Sequence, residues 1–269
     1  MATVGSACVP AYPGELHEVV VDANYAYGTA IDEHGLLETL TLDLFTPAGA
    51  DASDAADRSA SDGRTAVVLV HSGGFTTGDR SEMESLARSL AERGHVVASI
   101  SYRVREGRFF WFNNPSAEAW AAITDARHDA QAAVRWLRAY AEPLSIDPDS
   151  IAVAGYSAGA ITALGVAQNA NDPGESGTPG VDSSVCLAVS IAGFAPSNTY
   201  TVDAAPALLL HGVEDVIVDP IHAKHTALRA AIVGRLVKWV EYPGVGHALL
   251  YQRLPFLTHE IDSALRAHC

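Results

Sequence analysis

Apolar and polar positions follow two patterns along this chain. Residues about 17–31 and 36–46 alternate apolar and polar, the period of half-buried antiparallel strands. Six later runs are continuously apolar: Ala66–Val70, Val96–Ile100, Ile151–Ala154, Val185–Ile191, Ala207–Leu210 and Val237–Val240. Such runs suit strands covered on both faces. Helical spacing separates most of them. Ser81–Arg93 carries Met83, Leu86 and Leu90, and Ala117–Tyr140 carries Trp120, Ile123, Ala130, Val134 and Leu137. Ala158–Ala170, His222–Val233 and Leu250–Ala267 follow. The alternation predicts an α/β chain: a mostly parallel, eight-stranded sheet flanked by helices. No internal repeat is found, so residues 1–269 are expected to form a single domain. Residues 48–64 are small, polar and acidic and read as a flexible surface loop, and Asn169–Gly180 reads as a second polar loop with turn signals.

In a parallel sheet, ligand sites lie at the carboxyl ends of the strands. Ile151–Ala160 reads as strand, tight turn and helix, and its centre, Gly155-Tyr156-Ser157-Ala158-Gly159, is a G-x-S-x-G pattern. A side chain at either glycine would crowd the neighbouring strand and helix. The start of the following helix aims free N–H groups at the Ser157 hydroxyl. The bland alternative is an ordinary turn with Ser157 as a helix cap.

A serine hydroxyl near neutral pH needs a base, and the base needs an orienting acceptor. Asp215 falls in the loop after Ala207–Leu210, and His247 follows the Gly-rich stretch after Val237–Val240. Glu214 and Asp219 rival Asp215 but read equally as a surface charge or helix cap. His222, His225, His259 and His268 fall on helices and are expected to face solvent, and His211 reads as a structural residue at a strand end.

An early strand ends in His71-Ser72-Gly73-Gly74-Phe75, where glycines let backbone amides approach a ligand oxygen. With Ser101-Tyr102-Arg103, Gly155–Gly159, His211-Gly-Val-Glu-Asp215 and Gly246-His247, this chain resembles the α/β-hydrolase carboxylesterases with an HGGG-type oxyanion loop, including lipases and feruloyl-esterase-like enzymes. The resemblance runs from about residue 36 onward. It implies an α/β-hydrolase fold and ester hydrolysis without a metal or other cofactor. It further implies Ser157 as nucleophile, His247 as base, Asp215 as acid, and an oxyanion hole from the amides of Gly73, Gly74 and Ala158. One departure is Ser72, where the family more often has glycine. A polyester depolymerase, thioesterase or peptidase of the same fold is the alternative, because one triad serves them all.

The expected substrate is a small or polymeric ester. Only about 15 residues separate Val185–Ile191 from Ala207–Leu210, which leaves no room for a large cap. Residues 104–118 are a candidate small lid. Its aromatics Phe109, Phe110, Trp111 and Phe112 read equally as a substrate wall or as self-packing, with Phe110 and Trp111 taken as substrate contacts. Phe75, Tyr156 and Phe194 are further candidates.

A net charge of −15 without basic runs argues against nucleic acid as partner. No stretch reaches membrane-spanning length, and Met1–Pro10 lacks the basic start and apolar run of a signal peptide. A cytoplasmic chain, or a secreted one already processed, fits equally. The cysteines Cys8, Cys186 and Cys269 allow one bridge and a free thiol, or three free thiols. The oligomeric state is left open.

Overall fold

The computed structural model describes residues 2–3, 12, 14–48, 63–107, 115–195 and 200–269. The strands are β1 (Ala2–Thr3), β2 (Val19–Ile31), β3 (Leu37–Pro47), β4 (Arg64–Val70), β5 (Val96–Ile100), β6 (Ile146–Tyr156), β7 (Ala188–Ile191), β8 (Ala207–Gly212) and β9 (Leu236–Tyr242). They form one sheet in the order β1-β9-β8-β7-β6-β4-β5-β3-β2. β2 and β3 run antiparallel, as their alternation predicts, and every pair from β5 to β1 is parallel. The eight expected strands are all present, and the two-residue β1 adds an edge beside β9.

The helices are α1 (Glu84–Ala91), α2 (Ala117–Ala139), α3 (Ala158–Gln168), α4 (Pro220–Ile232), α5 (Leu249–Gln252) and α6 (Leu254–His268). A 3-10 turn, Arg80–Met83, leads into α1. The single helix expected over 250–267 is therefore broken near Arg253, ahead of Pro255, whose ring and missing N–H favour a helix start.

The continuous apolar runs are explained by two separate cores. Ala66, Val68 and Val70 of β4 belong to the core under α2, α3 and α4, while Val67 and Leu69 belong to the core under α1 and α6. Period-two alternation thus buries every residue of a central strand.

The buried surface of α2 departs from a plain apolar stripe. Asp129, Gln131 and Arg135 are buried there together with Arg127. Arg135 donates to the carbonyls of Pro173, Ser176 and Thr178, and Arg127 donates to Asp172. These bonds fasten the polar loop of residues 169–180 onto the helix. Asp129 accepts from Arg103 and from Ser176 Oγ, which ties the end of β5 to the same loop.

Cys186 and Cys269 form a disulfide with 5.5 Å between their Cα atoms, joining the approach to β7 to the end of α6. Cys8 lies outside the described residues, as does most of the 48–64 loop. Among the described residues, no helix is long and apolar enough to cross a membrane.

Candidate active site

Ser157 sits between β6 and α3 with φ 55° and ψ −114°, a conformation that side-chain-bearing residues rarely adopt. The two flanking glycines permit it. A Cβ on Gly155 would lie 2.1 Å from the Gly159 carbonyl oxygen, and one on Gly159 would lie 2.1 Å from that of Val70. Both approaches are backbone overlaps, so neither position accepts a side chain without moving a strand or helix.

His247 Nε2 lies 2.9 Å from Ser157 Oγ, and its Nδ1 lies 2.8 Å from Asp215 Oδ2. The carboxylate can only accept, so Nδ1 carries the proton and Nε2 is left to accept from the serine hydroxyl. Asp215 Oδ1 accepts from the amides of Ile217 and Val218, each at 2.9 Å. His211 Nε2 approaches Asp215 Oδ2 at 3.2 Å and the Val218 carbonyl at 2.9 Å. Burial alone would raise the Asp215 carboxyl. The bonds from His211, His247 and the Val218 amide outweigh it and hold the group well below the usual carboxylate range.

The rival acids sit elsewhere. Glu214 accepts from the Val245 amide at 2.9 Å and so anchors the loop that carries His247. Asp219 caps α4 through the Ile221 amide. Among the helical histidines, His225 and His268 are exposed and His259 is half-buried. His259 thus departs from the expectation, and so does His222: it is half-buried against the Phe194 ring, 5.1 Å between centroids, and burial pushes its imidazole down.

Opposite the triad geometry, Gly73 and Gly74 have φ 102° and 60°, and Phe75 continues the left-handed run at 64°. Gly73 O takes the Thr76 and Thr77 amides, both at 3.1 Å. The amides of Gly74 and Ala158 have no protein acceptor among the described residues. Ala158 N–H is free because it opens a helix.

A cavity of about 320 Å³ lies between these groups, lined by Ser72, Gly73, Gly74, Phe75, Ser157, Ala158, Ile161, Phe194, Ile217, Val218 and His247. Of the side chains expected at substrate, Phe75 and Phe194 are on this wall. Tyr156 is not. As the residue before Ser157, it ends β6 on the α1/α6 face, is buried there, and donates to the His247 carbonyl at 2.7 Å. It supports the loop that carries His247 from behind. Phe110 and Trp111, with their neighbours Phe109 and Phe112, lie outside the described residues. Ile161, Ile217 and Val218 were missed by sequence reasoning, and only the position of the last two beside Asp215 could have signalled them.

Residues 55–203 match the BD-FAE family, more than half of the chain. The chain belongs to the BD-FAE family. Its members are esterases of the α/β-hydrolase fold. The matched span of this BD-FAE chain includes Ser157 and the Gly73–Gly74 loop but ends before Asp215 and His247. Among curated proteins, it is 35% identical over 109 residues to "Esterase LipI" of Mycobacterium tuberculosis, which covers 40% of this chain. The chain spans 30% of that relative's length. Among solved structures, it is similar to native Est2, an esterase of Thermogutta terrifontis, with TM-score 0.69 and 19% identity over 91% of this chain and 89% of that one. The same esterase phosphonylated by cyclosarin aligns with TM-score 0.67 and 20% identity over 96% of this chain and 93% of that one. At these identities the structural likeness concerns the fold.

Proposed function

We propose that this BD-FAE chain is a serine carboxylesterase that works through an acyl-enzyme on Ser157. The observation that carries the reading is the unbroken line from Ser157 Oγ through His247 to Asp215, 2.9 and 2.8 Å, opening onto an apolar cavity. In this mechanism Ser157 Oγ attacks the ester carbonyl while His247 Nε2 takes its proton. The Asp215 carboxylate stabilises the resulting imidazolium without taking the proton. The amides of Gly73, Gly74 and Ala158 receive the oxyanion, and each such donor is worth about 3–4 kcal/mol of barrier. His247 then protonates the departing alcohol, and water activated by the same imidazole releases the acid.

Phe75, Ile161, Phe194, Ile217 and Val218 give the cavity an apolar wall, which favours an uncharged acyl or alcohol group. A volume of about 320 Å³ suits short chains. Propionate and butyrate are the groups bound to Est2 in two of its structures, in keeping with that size.

The test is hydrolysis of p-nitrophenyl acetate and butyrate by the wild type and Ser157→Ala, alongside labelling with a fluorophosphonate. Turnover and labelling are expected in the wild type alone, with kcat falling by about 10⁴-fold or more in the variant. Equal rates in both proteins would remove Ser157 from the reaction.

A further inference from the structure

The loop of Gly73, Gly74 and Phe75 holds three successive left-handed residues, a conformation that persists only where surrounding contacts impose it. Within the loop, the Thr76 and Thr77 amides close onto Gly73 O, and beyond it the Arg105 amide donates to Phe75 O at 2.9 Å. At its entry, the Ser72 carbonyl meets His71 Nδ1 at 2.7 Å and accepts from Tyr102 Oη at 3.2 Å, while the amide and hydroxyl of Ser72 go to a single carboxylate. Glu82, in the 3-10 turn before α1, accepts from the Ser72 amide at 2.8 Å and from Ser72 Oγ at 2.7 Å. This is the position where glycine is more usual, and the hydroxyl finds a partner there that glycine could not offer.

The same carboxylate reaches the other side of the site. Glu82 Oε1, which takes the Ser72 hydroxyl, also accepts from Tyr251 Oη at 2.8 Å. Tyr251 belongs to α5, which begins two residues after His247. Its ring meets Tyr156 edge-on at 5.9 Å, and Tyr156 donates to the His247 carbonyl. One carboxylate oxygen therefore joins the start of the glycine loop to the segment that carries the imidazole.

We propose that Glu82 is a positioning residue of this site, setting the glycine-loop amides relative to His247 through its shared bonds with Ser72 and Tyr251. The proposal rests on the esterase reading above. Glu82 does not line the cavity, and a negative charge near a developing oxyanion is itself unfavourable, so its contribution must come from geometry. Oxyanion donors act only when preorganised at the right distance, and loss of one costs about 10²- to 10³-fold in kcat. Loosening the loop should cost part of that.

The experiment measures kcat and KM on p-nitrophenyl butyrate, the rate of fluorophosphonate labelling, and the melting temperature. The variants are Glu82→Ala, Glu82→Gln, Ser72→Ala, Tyr251→Phe and the pairwise combinations. Glu82→Ala is expected to lower kcat and labelling rate by about 10- to 100-fold, with KM within about threefold and melting little changed. Glu82→Gln keeps an acceptor for the Ser72 amide and recovers to within about fivefold of wild type. Tyr251→Phe costs about threefold alone and nothing further in the Glu82→Ala background.

Activity within twofold of wild type in Glu82→Ala, equal loss in Ala and Gln variants, or a loss confined to KM would overturn the proposal. Should Glu82→Ala not fold, Ser72→Ala and Tyr251→Phe decide: coupled losses in kcat uphold it, and additive or absent losses reject it. A wild type that labels at Ser157 but turns over no ester rejects the esterase reading alone, and the labelling rates then judge Glu82. A wild type that does not label rejects both.

Discussion

His211 and Asp215 are joined by a 3.2 Å contact from the imidazole Nε2 to Oδ2, the same oxygen that accepts the hydrogen bond from His247 Nδ1. Nε2 also meets the Val218 carbonyl at 2.9 Å, and both neighbours are acceptors, so this nitrogen carries the hydrogen. His211 thus pins both ends of the 215–218 turn and shares the carboxylate with His247.

A hydrogen bond to a charged group is worth about 1.5–3 kcal/mol, so His211→Ala is expected to lower kcat/KM by about 10- to 100-fold. His211→Gln retains a donor and should lose less. Steady-state kinetics of the two variants, with melting curves to confirm folding, checks the order.

Stability should fall in acid, and Asp215 should be one reason. Its folded carboxyl lies below the usual range, while the unfolded value is about 3.9. Between those values the unfolded chain binds more protons, so stability rises with pH there. The contribution is fully present above the unfolded value and is lost as pH drops through the folded one. Urea melts between pH 2.5 and 6 are expected to show a shallower acid loss in Asp215→Asn. Some acid loss will remain, because Asp262 is also held low: burial raises it, but bonds from His95 and Arg266 prevail.

Adjacent glycines of the loop should respond differently to alanine. A Cβ on Gly73 would lie 1.9 Å from the Thr77 carbonyl oxygen, whereas one on Gly74 meets nothing within 4 Å. Gly74→Ala pays only for its left-handed backbone, about 1–2 kcal/mol, or a few degrees of melting temperature. Gly73→Ala is expected to melt much lower or to fold with a rearranged loop and little activity. Calorimetry with ester turnover separates the two.

The Cys186–Cys269 bridge closes a sequence separation of 83 residues. In the chain-entropy account a loop of this length contributes about 4–5 kcal/mol. The bridge approaches β7 from its amino end, opposite the edge that carries Ser157. Reduction is expected to lower the melting temperature markedly while leaving kcat at 25 °C close to its oxidised value. Thermal melts and assays with and without dithiothreitol test both halves.

The sequence by itself determined eight of the nine strands described, most of the helices and the chain order of Ser157, Asp215 and His247. Those rest on local chemistry: apolar periodicity, the glycines of the tight turns, and polar residues placed after strand ends. Even the reason for Gly155 and Gly159 was legible, because the crowding arises from elements adjacent in the chain. Only the tertiary structure decided which long-range partner each polar group meets. Nothing local to Ser72 names Glu82, and nothing local to Arg135 announces three carbonyls from a loop some forty residues on. Tyr156 shows the same limit, since its place behind His247 and away from substrate follows from which face of β6 the strand's alternation assigns it. Periodicity fixes that a residue is buried, but what it is buried against depends on how distant segments come to lie on one sheet.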